Sequence, residues 1–531
     1  MINKVKNIGY AALLVLSLGS CKKSIDDKFN NPEKTSTVSI PYMFTAMLNN
    51  DRVRPSYWNY RTFVLTATAE YAQTDYLPTS NTVYQPNDGY MGNRWEDFYH
   101  PTGNGSGPMA LYKVMEGVYN KMSADDKKTN DVIMNAARVT LYDQASQMVD
   151  CWGDIPFSEA SSLETSASVQ NGKFDDQKAL YKTFIDGLDA ANTYFASAQL
   201  STLAANSFTK QDILLGGSVD KWRRYTNSIR LRLLMRMSFY DENTAKTEVT
   251  KMLSNPTQYP LIDGGSVGSY SPSSSDVLLT PLTNYTNSLQ SALTEGGSFY
   301  APDYMLNKVM NPSNDPRIPV VYDKYGQTIN NTFVPNATYR AMPIDLPAAQ
   351  QESDATKYAI VDSVTFLTNS KLPGIVITAP EVNFLKAEAF ERWGGGDAKA
   401  AYETAVTQSV YFYYYLNSLG TGTKPVLNTA SIAPFLSSSV VAYTGAQTDK
   451  LAKIWTQKWV HFGFMQGTQA WAEYRRTKYP QLTFPSTGKL SGYTTPPNRL
   501  TYPSIERGFN SHYADVRAKD TRDAKIFWDV K

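Results

Sequence analysis

A mainly α-helical fold is predicted, with tetratricopeptide-like helical pairs and a loop-rich, irregular second half. Three observations predict it. The first is apolar periodicity. Between residues 132 and 149, Ile133, Ala136, Ala137, Thr140, Leu141, Gln144, Ala145 and Met148 recur at i, i+3, i+4 spacing, which is the mostly apolar face of one helix. Similar patterns cover residues 59–73, 109–122, 178–197, 221–240, 380–393, 398–417 and 449–477. The second is a helical pair. Residues 381–393 and 398–411 flank Gly394-Gly395-Gly396 and place Ala387, Ala389, Ala401 and Tyr402 much as a tetratricopeptide unit does. Small residues let two antiparallel helices approach, and the glycines make the turn. No clean period of about 34 residues runs along the chain, so a plain helical hairpin is the alternative. The third is that residues 74–108, 254–303, 311–378 and 418–447 are rich in Ser, Thr, Asn, Pro and Gly. They are too long for idle connections in a compact domain. Short strands fit within them, residues 374–378 for example.

The N-terminus reads as an export signal. Lys4 and Lys6 precede a short apolar run from Ile8 to Leu18, well under the ~20 residues a membrane-spanning helix needs. The run ends in Leu18-Gly19-Ser20-Cys21. A leucine, two small residues and a cysteine form a bacterial lipobox, in which the thiol accepts diacylglycerol. An ordinary secretory signal with an incidental cysteine is the alternative. The expected division is a signal peptide over 1–20, a lipidated tether over 21–36 and one domain over 37–531. Several acyl chains on Cys21 suffice for stable anchoring.

Composition narrows the function. The net charge is +2 and no long Lys/Arg run occurs, so there is no footprint for nucleic acid. Cys21 and Cys151 are the two cysteines, too few for a disulfide framework. Tyr is abundant, with 36 residues beside 22 Phe and 9 Trp. A tyrosine ring offers a flat apolar face and a polar tip, which suits the C–H faces of sugars.

No catalytic constellation emerges, and no cofactor is expected. Gly264-Gly265-Ser266-Val267-Gly268 matches G-x-S-x-G, but Ser269-Tyr270-Ser271-Pro272 follows, and a nucleophile elbow requires a helix there. His100, His461 and His512 are far apart, and no H-E-x-x-H or C-x-x-C occurs, so no transition-metal site is expected. A calcium ion on loop carboxylates is compatible with the sequence. Cys151 reads as a buried thiol.

Five segments together resemble the SusD/RagB family, in its SusD-like 2 branch. Asp150-Cys151-Trp152-Gly153-Asp154-Ile155-Pro156-Phe157 is similar to that family's turn after a long helix. Trp222 through Arg236 is similar to its Arg-rich helix, and Asp315-Pro316-Arg317 to its central turn. Trp455 through Pro480 is similar to its hallmark helix, and Asn498-Arg499-Leu500-Thr501-Tyr502-Pro503 with Phe527-Trp528-Asp529 to its C-terminus. The resemblance implies a cell-surface, non-enzymatic binding lipoprotein of the outer membrane. Its partners would be a glycan or similar oligomer and a TonB-dependent barrel of the SusC type. An oligopeptide ligand, as in RagB-type relatives, and a glycan-degrading enzyme are the alternatives. Five arginines, Arg223, Arg224, Arg230, Arg232 and Arg236, cannot share one helix face. Some must therefore pair with carboxylates across helix junctions.

Candidate ligand residues lie in the polar, glycine-punctuated stretch with Tyr76, Tyr84, Tyr90, Asn93, Arg94 and Trp95. Trp58, between Tyr57 and Asn59, precedes it. Tyr285 and the Phe299-Tyr300 pair form a second region. Trp95 either forms a stacking platform beside Asn93 and Arg94, or starts a helix and packs inward.

Overall fold

The computed structural model describes residues 39–78, 82–161, 171–281, 289–484 and 493–531. The signal segment, Cys21 and Tyr285 lie outside them. Helices dominate. The chain opens with α1 (Ile40–Leu48) and a continuous helical rod made of α2 (Tyr57–Asn59), the π-helical Tyr60–Thr68 and α3 (Ala69–Tyr71). Then come α4 (Asp88–Tyr99), α5 (Pro108–Asn120), α6 (Ala124–Trp152), α7 (Gln177–Ser197), α8 (Thr202–Gln211), α9 (Val219–Arg236) and α10 (Glu242–Ser254). Past the middle lie α11 (Leu289–Glu295), α12 (Ala379–Trp393), α13 (Ala398–Leu419), α14 (Gln447–Phe462) and α15 (Gly467–Thr477).

Most predicted helices stand within a few residues of their expected limits, because polar caps end them. Ser218 accepts a bond from Lys221 N, Thr378 from Glu381 N and Asp397 from Ala400 N, each satisfying one otherwise unpaired N–H of a first turn. Two expectations fail. Residues 449–477 are two helices, α14 and α15, because Gly463 turns out of the helix at φ +49°. The stretch 74–108 contains α4, nucleated by Asn87, whose side chain accepts from Tyr90 N at 3.0 Å.

Helices pack in sequential pairs: α5 on α6, α6 on α7, α7 on α9, α9 on α12, α12 on α13 and α14, and α14 on α15. The pair α12/α13 is the tetratricopeptide-like hairpin, and its Ala387, Ala389, Ala401 and Tyr402 are buried. Only two-stranded pieces of sheet occur among the described residues. β1 (Ile155–Pro156) pairs antiparallel with β2 (Phe174–Asp175), and β3 (Val277–Leu279) with β8 (Gly374–Ile377). β4 (Tyr322–Asp323) pairs with β7 (Ile360–Val361), and β5 (Gly326–Ile329) forms a hairpin with β6 (Thr332–Pro335). All but the first pair lie wholly in the loop-rich second half.

The helix stack is tied by buried charge. Arg230 meets Glu248 at 2.7 Å and Asp189 at 3.3 Å, and Arg236 meets Asp150 at 2.8 Å and Glu473 at 2.9 Å. Arg476 grips Glu388 at 2.6 Å and Glu473 at 2.7 Å. Arg317 folds back on Asp315 at 2.6 Å with both side chains fully buried. Arg230 and Arg236 on α9 thus pair across helix junctions, as the crowding of arginines on that helix requires, and Arg476 on α15 and Arg317 in its turn are likewise held in buried ion pairs. Arg224 instead pairs on the surface with Asp220.

Candidate ligand-binding site

The exposed aromatic surface gathers where the first rod meets α11. Ser56 caps α2, its hydroxyl accepting from Asn59 N at 3.2 Å. The next residues diverge. Tyr60 turns inward and donates to Met465 O at 2.9 Å, and Asn59 donates to Arg52 O at 3.1 Å. Trp58 turns outward with 47% of its surface exposed. Its carbonyl is held by Arg52 Nη1 at 3.2 Å and by the Thr62 hydroxyl, and Arg52 is itself fastened to Asp97. The ring is therefore presented on a rigid backbone.

Tyr57 stands edge-on to Trp58, with centroids 5.3 Å apart at 87°, an arrangement that rings favour over a face-to-face sandwich. Its hydroxyl donates to the exposed carboxylate of Glu295 at the end of α11. That bond, first among the causes, raises the Tyr57 phenol above its ordinary value, and Arg61 and Tyr90 are close enough to act on it. The cluster offers an indole face for stacking, a carboxylate acceptor and a guanidinium donor, which is the combination that orients a polyhydroxyl ligand.

The predicted site residues divide. Trp58, Asn93 and the half-buried Tyr90 face outward wholly or in part. Trp95 does not: it is 1% exposed, its indole N–H donates to Glu506 Oε1 at 3.0 Å, and its ring meets Trp152 and Tyr502 edge-on at 5.4 and 5.7 Å. The platform reading of Trp95 is thereby corrected. The helical period of α4 puts Met91, Arg94, Trp95 and Phe98 on one buried face. Arg94, Tyr84 and Tyr76 are also buried, so none of them presents a surface to a large ligand. Tyr76 donates to Gln351 Oε1 at 2.7 Å and packs edge-on to Tyr300 at 5.5 Å. Tyr300 is half-buried and stacks on Phe299 at 4.4 Å. Arg61 and Glu295 were missed by sequence reasoning, because nothing local marks them out.

The other singled-out groups have structural surroundings. Ser266 lies exposed before a single turn, Val267–Ser269, with its hydroxyl 3.1 Å from Ser269 Oγ. Burial pushes the Cys151 thiol up to about 12. His461 lies in the core between Thr378 Oγ1 at 2.7 Å and Ser409 Oγ at 3.0 Å. Burial first, and then Arg317, hold it down to about 3, so it is neutral. Asp154 accepts from Gln177 N at 3.0 Å and Glu159 from Lys173 N at 3.3 Å, both in backbone-fixing roles. Among the described residues no cluster of three or more His, Cys, Asp or Glu is placed to hold a metal ion. An open cleft of about 450 Å³ lies elsewhere, lined by Tyr304, Lys308, Asp449, Lys453 and Tyr479.

Residues 34–503 match the SusD-like 2 family model, described as starch-binding associating with outer membrane. Among solved structures, a chitin-binding SusD homolog from Flavobacterium johnsoniae superposes with a TM-score of 0.68 at 22% identity, over 93% of this chain and 99% of that one. A chitin-binding protein gives 0.72 at 19% identity, over 92% and 100%. A SusD homolog from Bacteroides uniformis gives 0.66 at 19% identity, over 93% and 100%. No curated protein matches the chain. Among the described residues no helix is long and apolar enough to cross a membrane.

Proposed function

The chain belongs to the SusD-like 2 family, described as starch-binding associating with outer membrane, and from that premise we propose that it is a cell-surface binding lipoprotein that captures an oligosaccharide. It hands this ligand to a SusC-type, TonB-dependent barrel in the outer membrane. The observation that carries the glycan reading is Trp58, an exposed indole on a braced backbone beside Tyr57 and Glu295. The chitin-binding names of two structural neighbours speak for the same class of ligand. Anchoring through Cys21 rests on Leu18-Gly19-Ser20-Cys21. The protein binds and does not cleave: Ser266 has no strand-to-helix elbow, and Cys151 and His461 are sealed in the core.

Titration of a glycan panel tests this. Stacking on an exposed aromatic anchor contributes about 1–3 kcal/mol, so Trp58→Ala weakens binding about ten-fold or more, with an unchanged melting temperature. Chromatography after long incubation finds the bound oligosaccharide intact. Unchanged binding in Trp58→Ala moves the site to the cleft at Tyr304 and Tyr479, and cleavage products would sink the binding-only reading.

A further inference from the structure

A second polar feature lies along the rod, and its lining includes Arg52 and Asn59 of the segment that braces Trp58. A crevice of about 60 Å³ opens between the half-buried Val53, Gln147, Val376 and Thr468. Arg94 of α4 lines it. This guanidinium is 5% exposed and lies over the Phe63 ring at 5.6 Å. It makes no ion pair or hydrogen bond among the described residues, whereas its neighbour Arg52 is taken by Asp97. Burial first, and then Arg52, hold Arg94 down to about 10. Gln466, 6% exposed, lines the same crevice with both amide atoms buried and unpartnered. Gln466 is also the N-cap of α15, and no side chain caps that helix. Gly467 and Thr468, the first residues of α15, complete this wall; the Gly467 N–H already donates to Phe464 O at 3.1 Å, so the donors this helix start can offer begin at Thr468. On the opposite side, Asp143 is occupied by Tyr225 at 2.7 Å and by Arg232 at 3.2 Å.

A buried guanidinium without a counter-charge is costly. An uncapped helix start carries partial positive charge and free N–H donors. Here the two converge on one small space with an idle amide. We propose that the crevice binds a carboxylate group, presented either by a small free acid or by an acidic unit of a longer ligand. A guanidinium fork matches a planar carboxylate. Since one water needs about 10–15 Å³, the crevice holds a carboxylate with its bearing carbon and little more. The proposal does not rest on Trp58.

Calorimetric titration of the full chain with acetate, glucuronic acid, a glucuronic-acid-containing oligosaccharide, phosphate and glucose tests it, at constant ionic strength in chloride. Acetate and glucuronic acid bind and raise the melting temperature, and glucose does not. Arg94→Met lowers acid affinity about ten-fold or more. Without acid it melts no lower than the wild type, because the buried charge it removes has no ion pair of its own and feels Asp97 only at a distance. Gln466→Leu, which leaves Arg94 in place, also weakens acid binding. Acetate bound with no gain from the oligosaccharide identifies a free acid as the ligand. A gain from the oligosaccharide identifies an acidic oligomer, and either result upholds the site. No acid binding by the wild type, or equal binding by both variants, overturns the proposal. Binding of phosphate without either acid overturns the carboxylate assignment.

Discussion

Arg232 on α9 and Glu381 on α12 face each other with two parallel bonds, Nε to Oε1 at 2.6 Å and Nη2 to Oε2 at 2.8 Å. The same guanidinium reaches Asp143 Oδ1 on α6 at 3.2 Å, so one cation ties three helices. Its two carboxylates depend on it unequally. Arg232→Met leaves Asp143 and Glu381 buried without their cation, at a cost of about 3–5 kcal/mol. Glu381→Gln leaves Arg232 with Asp143 and costs less. Denaturant unfolding measures both, and a larger loss for Glu381→Gln would refute this account.

Asp276 predicts a pH effect. Its carboxylate accepts from Tyr270 Oη at 2.7 Å and Ala379 N at 2.8 Å, yet burial raises it from 3.8 to about 7. The folded protein therefore holds this proton where the unfolded chain has lost it. Asp276 favours the fold below its unfolded value, and that contribution fades as pH rises from about 4 to about 7. Asn removes the charge: its carbonyl oxygen still accepts from Ala379 N, and its amide NH2 donates to Tyr270 Oη, as the protonated acid would. The stability of Asp276→Asn relative to wild type should rise across that window and level off above it. His461 works oppositely in both proteins, since its pKa is depressed to about 3, and it cancels in the difference. A flat difference between pH 4 and 7 shows that Asp276 is ionised in the folded protein at neutral pH.

Trp95 and Trp58 separate core from surface. Trp95→Ala removes a ring that touches Trp152, Tyr99 and Tyr502, and it should cost about 3–5 kcal/mol. Trp58→Ala should leave stability within about 0.5 kcal/mol. Thermal melts of the pair decide, and equal melting temperatures contradict the burial of Trp95.

Anchoring is tested at Cys21. The wild-type protein should take up labelled palmitate and fractionate with outer membranes, and Cys21→Ala should do neither. Mild detergent extraction should also recover a large barrel partner, whose shared interface should exceed about 2,000 Å². Wild-type protein without label would remove the lipobox reading.

Much of the fold was legible because its signals are local. The apolar stripe of α6, the caps Ser218, Thr378 and Asp397, and the glycine turn between α12 and α13 each act within a few residues. The crowding of arginines on α9 required partners on other helices. The ordered motifs pointed to the family whose model matches residues 34–503. The helix α4 was anticipated only in the inward alternative for Trp95, because the stretch is polar and glycine-punctuated, although Asn87 caps it and Met91, Trp95 and Phe98 share its buried face.

By itself, then, the sequence determined most of the long helical segments and which of their faces are apolar, since backbone hydrogen bonding and the helical period are properties of neighbouring residues. Tertiary structure alone decided what lies against each face. It left Trp58 open and closed Trp95 beneath Glu506, 411 positions away. It brought Tyr57 to Glu295, 238 positions on. It paired Arg232 twice while leaving Arg94 without an anion. A side chain's partners and desolvation are set by segments distant along the chain, and one helix's periodicity carries no information about them.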